Sequence, residues 1–572
     1  MSGVKSDYAL DRSRLLRLVA VAMVVGAVAT LAALLLVQLI RLCTNLFFYQ
    51  HWSFAESSPA LNTLGAWVIV LPVIGGVLVG LMARYGSDKI RGHGIPEAME
   101  IILFGKSRMS ARVAVLKPLS SGIVIGSGGP FGAEGPIIMT GGALGSLLAQ
   151  YLNLSAAERK TLLVSGACAG MTAIFGTPVA ALLLAVEMLL FELRPRSLLP
   201  VAMACAVAGF LRPFIFEAGP LFPLAVAPVT ASALVSGIVA GICSGVLAVI
   251  VTLALYRTED AFAKLPVHWM WWPAIGGVVV GIGGYFEPRA FGIGYDVIGD
   301  LLNNRLAVAA VVSLLAVKAV MWVAALGSGT SGGVLAPLLM IGAGLGVVLS
   351  PWLPGGSAGL WALVCMAAVL GSVLGAPLTA IVFAIGLTHA TNALLPLLLT
   401  VAVAWGVTTL VLRRSIMTEK IARRGLHIYR EYAVDPLERM HVDDLMSRSV
   451  ISVDAAMTIR QARATVDAQQ HRRLPVVSNG RLRGMLESGI LNDHRHDENL
   501  QVADLLAGQH QWVLSTESAR AAAARMIDLK VSSVPVVADA DGLQLVGVLA
   551  MSDLLRPVGA SWQEETLLER LR

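Results

Sequence analysis

Residues Gly126–Gly145 read GSGGPFGAEGPIIMTGGALG, a glycine-rich stretch with one acid, Glu134, directly before Gly135 and Pro136. Glycines let backbones approach closely, and a proline in the first helical turn loses no hydrogen bond, because that N–H has no intrahelical partner. The stretch therefore predicts a helix start whose free N–H groups and positive dipole end attract an anion. Its only carboxylate is the protein's own. An acid inside an apolar segment costs roughly 2.5–3.5 kcal/mol on insertion scales, and the dipole returns about 0.3–1 kcal/mol, so Glu134 is read as functional rather than as a passive cap. Its protonation would link anion occupancy to pH.

Outward from this stretch the chain is apolar from about Leu15 to Leu412, and dense charge begins after Arg413. With 56% hydrophobic and 14% charged residues over 572 positions, a soluble globular protein is excluded. The pattern predicts an all-α polytopic membrane domain, residues 1–430, followed by a soluble one. Several apolar runs, such as 113–128 and 136–152, fall short of the roughly 20 residues of a full span. Broken helices survive in hydrocarbon only where they line a protected cavity, which points to transport. Lys5, Arg12, Arg14 and Arg17 precede the first span, and Arg413, Arg414, Lys420, Arg423 and Arg424 follow the last, so both termini are expected in the cytoplasm. The net charge of +6 comes without a basic run fit for nucleic acid. The five cysteines lack CxxC spacing and are read as packing residues, with no metal site expected.

An internal repeat carries the argument further. Gly132–Gly145 aligns without gaps on Gly333–Gly346, GVLAPLLMIGAGLG, at an offset of 201 (333 − 132). Near the same offset Gly92 and Gly94 match Gly292 and Gly294, Lys117 matches Lys318, and GTP (176–178) matches GAP (375–377). Two related halves are expected, about 80–250 and 280–410, with a site between them. The second half would supply the N–H groups of Val334 and Leu335 from GGVLAP, where close helix packing is the competing reading. GHGIPE at Gly92–Glu97 is a further glycine-led helix start, whose His93 is read as an anion donor or as a turn residue.

FGKS at Phe104–Ser107 is no phosphate loop, since Glu100 stands where its first glycine is needed. Glu187 is read as snorkelling or pairing with Arg194 or Arg196, with transport as the alternative. After Arg424 a shorter repeat appears. HVDDLM at His441 and QVADLL at Gln501 are 60 apart, as are RRLPVV (from Arg472) and SSVPVV (from Ser532), each followed by a glycine-led strand at Gly484–Leu486 or Gly547–Leu549. Two small α/β units follow, at 438–498 and 499–560.

Taken together, GAEGP, GHGIPE and GGVLAP resemble the GxEGP, GSGIPE and GGIFAP motifs of the CLC family of chloride channels and chloride/proton antiporters, in the same order, over about residues 12–425. The C-terminal pair resembles tandem CBS domains, a familiar appendage of that family. The resemblance implies two inverted repeats, a homodimer with one pore per subunit, and no required cofactor. It makes Glu134 the gating glutamate and puts anion-binding groups at His93, Gly94, Ile95, Gly135, Val334, Leu335 and Met417.

The departures are informative. His93 stands where the family has serine, and Met417, in SIMTEKI, where it has tyrosine. The internal proton-transferring glutamate falls on Met188, and a thioether relays no proton. Channel-like or weakly coupled chloride flux is therefore expected, with protons and membrane lipid as the other partners. The alternatives are an antiporter with a non-standard proton path and a transporter of nitrate, fluoride or bromide. A CBS-regulated cation channel is disfavoured for want of pore-facing carboxylates, and an enzyme for want of a second acid or nucleophile near Glu134. In the CBS pair, Asp553 is the candidate contact for the ribose of an adenine nucleotide, whereas the first repeat has Ile490 there.

Overall fold

The structure is a computed structural model that describes residues 12–426, 437, 440–465, 473–487, 489–490, 497–506 and 511–556. Lys5, Arg472 and the outer ends of the two expected CBS repeats, at 438 and 560, lie outside the described residues. The chain divides into two compact units, the first essentially residues 1–430 and the second 431–567.

The first unit is all helical. Its helices are α1 (Arg12–Tyr49), α2 (Val70–Tyr85), α3 (Ile95–Leu103), α4 (Ala111–Gly126), α5 (Glu134–Tyr151), α6 (Ala156–Phe175), α7 (Pro178–Leu184) and α8 (Pro195–Leu211). There follow α9 (Ala231–Ala263), α10 (Trp272–Phe286), α11 (Tyr295–Leu302), α12 (Val308–Gly327), α13 (Leu335–Leu349), α14 (Ala358–Leu374), α15 (Pro377–Thr388), α16 (Leu394–Val411) and α17 (Ile416–Ala422). The first eight match the second eight in order and length, and α17 stands outside the scheme. Packing repeats as well: α1 lies on α4, α6 and α8, while α9 lies on α12, α14 and α16. The two halves are inverted repeats. The second therefore begins at α9, earlier than residue 280, where the motif matches suggested; α1 and α9 share length and packing partners but no motif, so sequence register could not reveal the pair.

Among the described residues, seven helical segments are long and apolar enough to cross a membrane, and α14 and α15 are shorter. α6 and α14 are buried almost all round, as expected of helices apolar on every face that form the centre of a bundle. The single apolar runs 161–191 and 358–385 both break in the same way. α6 ends at Gly176 and α14 at Gly375, each with φ 70, and Pro178 and Pro377 then start α7 and α15. The glycine stops one helix and the proline starts the next.

Two buried lysines complete the symmetry. Lys117 on α4 donates to the carbonyls of Ile90 and Gly92, both at 2.8 Å, and Lys318 on α12 donates to those of Ala290 and Gly292, both at 2.9 Å. These carbonyls belong to the loops that lead into α3 and α11. With no water to satisfy a carbonyl inside the bundle, an ammonium at that spot fixes the loop and gains partners of its own.

The second unit holds α18 (Val442–Leu445), β1 (Val453–Asp454), α19 (Ile459–Thr465), β2 (Arg473–Ser478) and β3 (Arg481–Glu487), then β4 (Val513–Leu514), α20 (Ala519–Asp528), β5 (Ser533–Val537) and β6 (Leu545–Ala550). In each sheet the middle strand pairs parallel with the first and antiparallel with the third. The third strands start before their glycines, at Arg481 and Leu545, because pairing with Ser478 and Val537 sets the boundary. The repeats exchange their opening elements: Val442 and Leu445 pack with Val513, Val534 and Leu549 of the second repeat, while Val502 packs with Val453, Ile459 and Leu474 of the first.

Candidate functional site

Three helix starts converge where the inverted halves meet. Gly132 and Gly333 form an isolated antiparallel bridge, with the Gly333 amide donating to the Gly132 carbonyl at 3.1 Å, so the loops entering α5 and α13 lie side by side. The loop entering α3 joins them, since the Gly332 amide donates to the Gly92 carbonyl at 3.4 Å. Gly94, the residue before α3, has φ 90, and a Cβ there would lie 2.6 Å from the carbonyl oxygen of Gly135. Only glycine meets both demands.

Glu134 is the first residue of α5 and is fully buried. Its side chain leaves its own helix and crosses to the other half. There Oε1 accepts hydrogen bonds from the amides of Leu335, at 2.5 Å, and Ala336, at 3.0 Å. Two charge-assisted bonds at roughly 1.5–3 kcal/mol each offset the cost of a carboxylate in this setting. Its other oxygen, Oε2, has no hydrogen-bond partner among the described residues. The carboxylate thus occupies the ends of the two N–H groups that α13 presents, which is where an anion would bind.

The other sequence-derived positions divide into those beside this point and those away from it. His93, Gly94 and Ile95 form the buried approach to α3; the His93 carbonyl lies against Gly135, and the ring Nδ1 has no hydrogen-bond partner among the described residues. Val334, fully buried, precedes α13, and the amides that hold the carboxylate are those of Leu335 and Ala336. Met417 is buried in the first turn of α17, which packs on α3. Glu97 ties these two helices: one oxygen accepts from the Gly94 amide at 2.8 Å and the other lies 2.6 Å from Lys420 Nζ.

Met188 is fully buried, in the six residues Ala185–Leu190 that widen into a π-helix after α7. Its neighbour Glu187 is buried and reaches across to the other half. It accepts from the amides of Leu378, at 3.1 Å, and Thr379, at 2.7 Å, and from the Thr379 hydroxyl at 2.6 Å, capping α15 from the opposite half. In the second unit, Asp553 accepts from the Ala550 amide at 2.9 Å and lies 2.7 Å from Arg556, a local cap on the turn that follows β6. The sequence reading missed the Ala336 amide, the Glu187 cap, and Tyr295, which stands where the repeat register places the partner of Ile95. That register was the available signal for Tyr295.

The family model for the voltage gated chloride channel matches residues 75–409, and the model for the CBS domain matches 442–489 and 503–559. The chain is 28% identical over 381 residues to the voltage-gated ClC-type chloride channel ClcB of Escherichia coli O81, covering 64% of this chain and 90% of that one. It is also 28% identical over 363 residues to the H(+)/Cl(-) exchange transporter ClcA of Klebsiella pneumoniae, covering 58% and 75%. The fold resembles the crystal structure of a eukaryotic CLC transporter, with a TM-score of 0.64 and 18% identity, over 95% of this chain and 99% of that one. With more than half of its length matched by one family model, the chain belongs to the voltage gated chloride channel (CLC) family of multi-pass membrane proteins and carries a C-terminal pair of CBS domains.

Proposed function

We propose that each chain forms a chloride pathway in which Glu134 is the gate, that the flux is channel-like or only weakly coupled to protons, and that the protein works as a homodimer with cytoplasmic termini. The observation that carries the reading is the seat of the Glu134 carboxylate on the amides of Leu335 and Ala336. An incoming anion competes for those same N–H groups, and a proton on the carboxylate weakens its hold by removing the charge. Both routes free the site. His93, Gly94, Ile95, Gly135 and Met417 line the approach from the α3 side, and Val334 completes the α13 turn. The missing proton-relay side chain at Met188 supports weak coupling. The Glu187 cap adds support, because that acid is committed to α15. Chloride/proton exchange is the second reading, favoured by the similarity to an exchange transporter. At the CBS pair, Asp553 is the residue by which an adenine nucleotide would be held.

Chloride efflux from liposomes with a potassium shunt, with and without a proton shunt, separates the readings. Efflux that needs only the potassium shunt supports a channel. Proton uptake in fixed ratio to chloride, persisting against a chloride gradient, would establish the antiporter and overturn the channel reading.

A further inference from the structure

The repeat register that pairs Gly94 with Gly294 also pairs Ile95 with Tyr295, the first residue of α11. The surroundings repeat as well. Each of the two loops is tied by its own lysine, α3 packs on α5, and α11 packs on α13. The α3 and α11 starts are thus equivalent positions of the two inverted halves, one packed against each of the helices whose starts meet at Glu134. His93 stands just before α3, on which α17 with Met417 packs, and Tyr295 opens α11, which packs on α13. The Tyr295 ring stands edge-on to Phe175, at 6.2 Å, and to Phe222, at 6.0 Å. Its hydroxyl is shut off from solvent and, among the described residues, has no hydrogen-bond partner. A buried hydroxyl without a partner is costly, which suggests that its partner arrives in another state of the protein.

Glu134 Oε2 likewise has no hydrogen-bond partner among the described residues, and α11 packs on α13, whose first amides hold that carboxylate. A phenol O–H and a carboxylate oxygen are matched as donor and acceptor. Other charged groups nearby are engaged elsewhere. Lys318 from α12 is held by the carbonyls of Ala290 and Gly292, and Lys117 from α4 by those of Ile90 and Gly92. Asp296, next to Tyr295 on α11, is exposed and accepts from the Ser58 hydroxyl at 3.2 Å.

We propose that the Tyr295 hydroxyl receives the Glu134 carboxylate when it leaves the amides of Leu335 and Ala336, and so sets how readily the gate opens. The inference rests on the Glu134 gate reading. Tyr295 acts through Glu134 as a positioning residue and adds no contact to the anion.

The test reconstitutes full-length Tyr295→Phe, Glu134→Gln and the double variant, and measures chloride efflux against external pH and chloride. Phenylalanine keeps the edge contacts and removes only the hydroxyl. Without that donor the displaced carboxylate is less stable, so opening depends more on protonation. The half-maximal pH is expected to fall by about one unit, the size of one lost charge-assisted bond. In the Glu134→Gln background the substitution is expected to change nothing. A Tyr295→Phe profile that overlays the parent, or that loses amplitude with an unmoved midpoint, overturns the inference while leaving the gate intact. Altered anion selectivity in the double variant overturns it too, since the phenol would then touch the anion. Persistent pH dependence in Glu134→Gln alone defeats the gate reading itself.

Discussion

Glu134 Oε1 lies 2.5 Å from the amide nitrogen of Leu335, a residue 201 positions later in the chain. This hydrogen bond, with the one from the Ala336 amide, joins the two inverted halves through the single acid in the glycine-rich stretch. Protonation removes the charge that makes this bond strong, so flux is expected to rise as external pH falls. Glutamine keeps the shape without the charge or the titration. Glu134→Gln should give high flux that no longer varies with pH, measured as chloride efflux across pH 5–8 (~3 units, spanning the ordinary carboxylate and histidine ranges). Aspartate is one methylene shorter and should not reach both amides, so Glu134→Asp should leak at alkaline pH while still responding to acid.

Gly333 allows that seat to exist. A Cβ built there would come within 2.6 Å of the Gly132 carbonyl oxygen and 2.7 Å of the Glu134 carboxylate. Gly333→Ala should therefore push the carboxylate off its amides and raise flux at alkaline pH. Because the added methyl also presses on backbone, a loss of stability of roughly 1–3 kcal/mol is expected with it. Size-exclusion behaviour in detergent checks that the variant is folded. A folded variant with parental flux at pH 8 would show that the seat tolerates the methyl.

Glu187 joins the halves a second time. Its carboxylate serves two amides and one hydroxyl at the start of α15. Glu187→Ala leaves the two buried Thr379 donors unserved and should cost roughly 2 kcal/mol or more, read as a lower thermal midpoint in detergent. Glu187→Gln keeps one acceptor and should lie between. Neither change should alter the ratio of protons to chloride moved. A changed ratio in a stable Glu187→Gln would return Glu187 to the proton path.

What could be read beforehand follows from the range of each signal. Glu134 stood out because an acid among glycines in an apolar segment has a high cost wherever it folds. The α13 start was legible through its register with the α5 start. Which peptide units face the carboxylate depends on where the helix begins, so its contacts with the Leu335 and Ala336 amides could not be read beforehand. The Glu187 cap was out of reach, because its partners lie 191 and 192 residues away and carry no motif. The α1–α9 correspondence was hidden for a similar reason: lipid-facing helices need only be apolar, so their sequences drift apart while their packing stays the same.

The CBS pair shows the same limit and gives the last prediction. A 60-residue repeat suggests two units that each fold on their own residues. Instead α18, which opens the first repeat, buries Val442 and Leu445 in the core of the second, beside Val513, Val534 and Leu549. The Val442 amide donates to the Glu517 carbonyl at 2.9 Å, and the Ser447 amide to the Val548 carbonyl at the same distance. A charge placed at Val442, which is fully buried, cannot be solvated, and the cost should be about 3 kcal/mol or more. If each repeat held its own opening helix, Val442→Asp would loosen β1–β3. With the exchange, the damage should fall on β4–β6. Limited proteolysis of the full-length variant, read by mass spectrometry, should show new cuts near residues 513–550 before any near 453–487. The reverse order would contradict the exchange.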